Sequence, residues 1–181
     1  MEVTEQDVVL VHDMVREMAT EQFEMFGEAP PFFAAVGSKE PEKLEELTKA
    51  GGLPLRMERL TQGSGPILIG FYLASVPKQL WSGIMSAVAA DIDATALIFT
   101  TETWVVEFPN ENGEGEAKAA EWYANHADLS EFPKRKEAII LNVHHKGMDS
   151  TLEVAMIDEQ SRELKDFAMQ KGREKGGDIK W

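Results

Sequence analysis

Apolar residues along the chain recur with two different periods, and the alternation between them outlines the elements. Val8, Val11, Val15, Met18 and Met25 fall at helical spacing, with Asp13, Arg16, Glu17, Thr20, Glu21 and Glu24 largely on the other side. That pattern predicts an amphipathic helix over 5–26, oriented by a single apolar stripe. Thr4 is placed to cap it with Asp7 three residues on, and Gly27 followed by prolines 30 and 31 stops it. The short apolar run from Pro31 to Val36, bounded by breakers, reads as a strand. A charged helix anchored by Leu44 and Leu47 is expected from Pro41 to Ala50, closed by Gly51 and Gly52.

Residues 53–60 are ambiguous in pattern; an edge strand is one reading, because Pro54 removes a ladder donor. Ile67 to Leu73 reads as a strand. Pro77 opens a helix whose core stripe is Leu80, Ile84 and Val88, widened by Trp81, Met85 and Ile92. The β-branched and aromatic run from Ala94 to Phe108 is the strongest strand signal in the chain. A polar insertion then spans 109–136, with an acidic glycine-containing loop and the alanine content of a short helix over 117–126. Glu137–His145 and Thr151–Asp158 read as a hairpin around Gly147. From Glu159 to 171 the pattern fits either a further strand through Leu164 and Phe167 or a helix, and 172–181 reads as a loose tail.

This order lacks regular strand–helix–strand alternation. It implies one α+β domain over 1–181, with a mostly antiparallel sheet and helices packed on one of its faces.

Composition narrows the functional classes. The absence of cysteine removes thiolate nucleophiles, disulfides, iron–sulfur clusters and cysteine zinc sites. No secretory signal pattern and no long apolar run is present, so the expected location is cytoplasmic, with no membrane partner. The net charge is −14. Such a surface repels phosphates, which disfavours direct nucleic-acid binding.

Motif chemistry is sparse. Gly63-Ser-Gly65 precedes a strand and lacks the lysine of a phosphate loop, and no Gly-x-Ser-x-Gly elbow occurs. The four histidines form no ligand pattern: His144 and His145 are adjacent on a strand and point to opposite faces, while His12 and His126 stand apart. No metal or cofactor is expected. Asp91 and Asp93 sit at a helix C-terminus, where negative charge opposes the macrodipole, and read as solvated turn residues.

The strand 100–106 is the most informative stretch. Ile98, Thr100, Glu102, Trp104 and Val106 share a face, which places a carboxylate among apolar neighbours. Burial there raises a carboxyl pKa unless a cation compensates it. Arg135, in Pro133-Lys-Arg-Lys-Glu137, is the candidate clamp. A structural ion pair is the plainer interpretation of Glu102 with Arg135, and a catalytic acid or base the sharper one. Thr101-Glu-Thr-Trp104 followed by Ser130-Glu-Phe-Pro-Lys-Arg-Lys-Glu137 resembles a pattern in uncharacterised bacterial and phage proteins. In that family a Ser/Thr-Glu-Ala-Trp strand precedes a Ser-x-x-Pro-x-Arg-x-Glu segment. Thr103 stands here in place of the alanine. The resemblance, over roughly residues 65–160, implies a shared fold and a Glu–Arg constellation but no activity.

Three functions follow as expectations. The first is a small accessory protein, phage-encoded if the resemblance holds and then located in the host cytoplasm, that binds another protein. Trp122 and Tyr123 on the insertion helix are its candidate partner-facing aromatics. The second is an enzyme using Glu102 with Arg135 in a pocket. The third is an acidic mimic of nucleic-acid charge. Trp81 and Trp104 are expected in the core.

Overall fold

Seven strands pair in the order β2-β3-β1-β4-β5-β6-β7 in a computed structural model that describes residues 2–43, 55–60, 65–106, 114–125 and 135–170. In chain order the elements are α1 (Glu5–Phe26), β1 (Phe32–Gly37), β2 (Leu55–Arg59), β3 (Ile67–Tyr72), α2 (Lys78–Asp91), β4 (Ala94–Val105), α3 (Gly115–Asn125), β5 (Lys136–His145), β6 (Thr151–Met156) and β7 (Ala168–Gln170). Every neighbouring pair in the sheet is antiparallel. The α+β class and the antiparallel sheet are therefore as expected.

The placement of the helices on one face is not. Residues alternate between faces along a strand. Phe33, Ala35, Ile69, Phe71, Leu97 and Phe99 pack with Met85, Val88 and Ala89 of α2. Ala34, Val36, Leu68, Ala96, Ile98, Leu141 and Val143 pack with Val8, Val11 and Val15 of α1. The two helices thus cover opposite faces. The reason lies in the topology. β3 and β4 are each antiparallel to β1, which lies between them, so they run parallel to each other and need a crossover. α2 is that crossover, and α1 covers the apolar face left open.

Local signals set the helix ends. Thr4 Oγ1 accepts from the Asp7 N–H at 3.3 Å, while the Asp7 carboxylate accepts from the Thr4 N–H at 2.8 Å, a reciprocal cap. Gly27, at φ 74°, ends α1 with its N–H on the Phe23 carbonyl at 2.7 Å. The buried stripe of α1 is Val8, Val11, Val15, Ala19 and Phe23. The expected Met25 lies outside it, because 3.6-residue periodicity carries the stripe to Ala19 and Phe23. In α2 the buried residues are Met85, Val88, Ala89 and Asp91, with Trp81 and Ile84 partly buried. Leu80, expected in the stripe, is 51% exposed.

β2 is an edge strand, the reading of 53–60 that Pro54 allowed. The segment after β6 continues the meander: Ile157 bridges Leu164, Phe167 packs into the core, and β7 pairs with β6. Gly147, at φ 76°, turns the β5–β6 hairpin. The expected helix at Pro41–Ala50 lies outside the described residues beyond Lys43, as do the glycine turn at 61–64, the acidic loop at 107–113, His126 and the tail at 171–181.

Candidate functional site

Glu102 leaves β4 on the α1 face, one residue pair beyond the buried Thr100 and opposite Ile139 of β5. Its side chain is 26% exposed. The backbone locks it to the end of α1 from both directions: the Glu102 N–H donates to the Ala29 carbonyl, and the Ala29 N–H donates to Glu102 Oε2, each at 3.3 Å. Burial pushes its carboxyl pKa up, the Ala29 N–H draws it down, Glu137 raises it further and Arg162 lowers it. The net direction is upward.

The guanidinium that faces this carboxylate is Arg162, not Arg135. Arg162 Nη2 is 3.9 Å from Glu102 Oε1 and 3.3 Å from the Gly27 carbonyl, to which it donates. Its Nη1 pairs with Glu137, and its guanidinium carbon lies 5.6 Å from the centre of the Phe23 ring. One side chain therefore joins β4, β5 and the cap of α1. The loop after Ile157 presents it. The Asp158 carboxylate accepts from the Gln160 and Ser161 N–H groups at 3.0 and 2.9 Å. Those bonds hold the Asp158 pKa below the usual carboxylate range. The Arg162 N–H donates to the Asp158 carbonyl at 2.9 Å, and Arg162 itself adopts φ 58°. No periodic or motif signal marks Arg162 along the chain, since a turn residue in αL is placed by its loop.

Arg135 instead lies over the Trp104 ring, 4.7 Å from its centre. Trp104, expected in the core, is 38% exposed at this end of the sheet. Trp81 does reach the core, against Phe99 and with its indole N–H on the Val76 carbonyl at 2.8 Å. Trp122 is half-buried on α3, and the Tyr123 side chain lies outside the described part.

The aspartates at the C-terminal end of α2 are both engaged. Asp91 accepts from the Glu42 and Lys43 N–H groups, at 2.9 Å for Lys43. Asp93 pairs with Lys146 at 2.7 Å, which lowers its pKa. Asp91 is buried and fastens the 42–43 segment, whereas Asp93 ties the β5–β6 loop and stays exposed, as expected of a solvated turn residue. His144 and His145 point to opposite faces, as their adjacency on β5 requires. His12 bridges to Glu153 at 3.2 Å. Among the described residues no group of histidines and carboxylates is arranged to hold a metal.

A second feature was missed from the sequence. α1 lies chiefly over β4, β1 and β5 and reaches β3 at its flank, where Leu68 joins the same cluster and Tyr72 meets Met18. Between α1 and β3 runs a groove of about 400 Å³. Val11, Met14, Val15 and Met18 form its helical wall, and Phe32, Ala34, Leu68 and Gly70 its floor, with Glu17 and Glu21 at the lip. In that floor the Phe32 ring lies across Gly70, where a Cβ would meet Phe32 Cζ at 2.7 Å. One turn beyond Met18, the Gln22 side-chain amide donates to the Tyr72 hydroxyl, which in turn lies 3.5 Å from Met18 Sδ. That bridge marks one end of the groove. The available signal was a second apolar stripe on α1, Leu10 and Met14 followed by Glu17 and Glu21 at helical spacing, beside the buried one.

No protein-family model, curated protein or solved structure matches the chain.

Proposed function

We propose that this chain is an accessory protein that works by binding another protein, and that the groove between α1 and β3 is its docking surface. The observation that carries this reading is the groove itself, whose volume of about 400 Å³ is of the size that receives a ligand or anchoring side chains. Its helical wall includes two methionines, whose flexible, polarizable side chains adapt to varied partners. Leu10 and Met14 extend the apolar surface along the exposed side of α1. An isolated exposed apolar residue needs no explanation, but a cluster beside a concave site does.

The enzyme reading has weaker support. Its two residues diverge, with Arg135 on Trp104 and Glu102 held by Ala29 and Arg162. Glu102 is also not among the residues that line the groove.

A photo-crosslinking side chain at Met14, compared with one at Glu121 on α3, tests the docking surface in extract of the native host. A discrete adduct from position 14, abolished by Met18→Glu, is the expected result. Adducts from Glu121 alone, or adducts at Met14 that Met18→Glu leaves intact, would move the interface elsewhere.

A further inference from the structure

We infer that the occupant of the groove is an amphipathic helix carrying lysine or arginine along one edge, an assignment that rests on the groove being the docking surface. Its apolar stripe enters between Met14 and the β3 floor, and its cations lie beside Glu17 and Glu21.

Three observations select a helix of that charge. The first is the chemistry of the floor. β3 is already paired on both sides, to β1 through Ala34↔Gly70 and Val36↔Leu68, and to β2 through Arg56↔Gly70 and Glu58↔Leu68. The groove opens on the face of the sheet and not along an edge, so an extended peptide finds no ladder partner for its backbone there. A helix satisfies its own backbone and needs only an apolar seat.

The second is the repeat along α1. The flank of α1 beside the groove carries Leu10 and Met14, then Glu17 and Glu21, at helical intervals. An incoming helix lying along α1 therefore meets apolar groups toward the α1 N-terminus and carboxylates toward its C-terminus.

The third is charge. Glu17 and Glu21 are exposed, and neither is in an ion pair among the described residues, whereas Asp13 and Glu153 on the same face are held by Arg16 and His12. The chain carries a net charge of −14, which sets a second copy of itself against the site. A cationic helix gains from each of these terms.

The probe is a fluorescein-labelled amphipathic Leu/Lys peptide, titrated into the full chain by anisotropy at about 0.15 M salt, with a Leu/Glu peptide of the same pattern as its control. The Leu/Lys peptide should bind and the Leu/Glu peptide should not. Glu17→Lys with Glu21→Lys should weaken the first by about tenfold or more and admit the second, while Met14→Ala with Met18→Ala should also weaken the first. Glu121→Lys with Asp149→Lys supplies the same charge change away from the groove and should have a smaller effect. Equal loss from both charge pairs would mean diffuse attraction to an acidic surface and would overturn the assignment. So would failure of the Leu/Lys peptide to bind. If the Met14 crosslink persists in that case, the groove remains a docking surface and only the helix and its charge are wrong; if it is lost as well, both readings fall.

Discussion

At the scale of single residues, Arg162 and Glu102 carry the most testable physics. The raised pKa of Glu102 means that the folded state favours its neutral form. The stabilisation this gives is present in full below the ordinary carboxyl pKa and is lost as pH rises through the raised folded value. Glu102→Gln keeps an acceptor for the Ala29 N–H and removes the charge. The variant should match the wild type in acid and be at least as stable at neutral pH, with a flatter stability profile between, read by urea unfolding across pH. A marked loss at neutral pH would mean that the contact with Arg162 outweighs burial. Arg162→Ala should act in the opposite sense. It leaves Glu102 and Glu137 facing each other and withdraws a donor from Gly27, so the loss should reach about 1–2 kcal/mol at neutral pH and shrink in acid.

Gly37 presents a steric case. A Cβ there would lie 2.5 Å from both the carbonyl oxygen and Cγ1 of Ile92. The same carbonyl accepts from the Ser38 and Lys39 N–H groups at 3.0 Å, so it is not free to retreat. Gly37→Ala should cost about 3 kcal/mol in denaturant unfolding, since overpacking displaces backbone.

At the scale of elements, α1 depends on its cap and on one aromatic anchor. Thr4→Ala removes half of the reciprocal cap and should cost about 1 kcal/mol. Phe23, buried beside Ala19, Ala29, Ile139 and Ile157, should cost about 3–5 kcal/mol when cut to alanine. The two substitutions lie at opposite ends of the helix, so their costs should add in the double variant. Strong coupling between them would instead mark α1 as a unit that detaches as a whole. The two faces of α1 also separate its roles, with Val8, Val11, Val15, Ala19 and Phe23 seated on the sheet and Leu10, Met14, Glu17 and Glu21 turned toward the groove or solvent.

At the scale of the whole molecule, charge and topology dominate. A net −14 spread over one chain opposes the compact state through self-repulsion. Raising ionic strength at neutral pH should therefore increase stability. A fall with added salt would show that the ion pairs at Arg162, Lys146 and Arg16 outweigh that repulsion. Among the described residues no helix is long and apolar enough to cross a membrane.

Much of this architecture was legible in the chain because it is written locally. The Thr4–Asp7 cap, Gly27, the edge strand after Pro54 and the hairpin at Gly147 each depend on residues a few positions apart. Even two-sided burial left a trace: Phe32–Gly37 and Ile67–Tyr72 are continuous apolar runs without alternation, the mark of strands covered on both faces. The face shared by Glu102 and Trp104 likewise follows from periodicity alone. Only the tertiary structure decided which cation meets Glu102, where Arg135 rests, which side α2 crosses and that a groove stays open beside α1. Those depend on contacts between segments far apart in the chain, and on how many strands one helix can cover, quantities that no local pattern encodes.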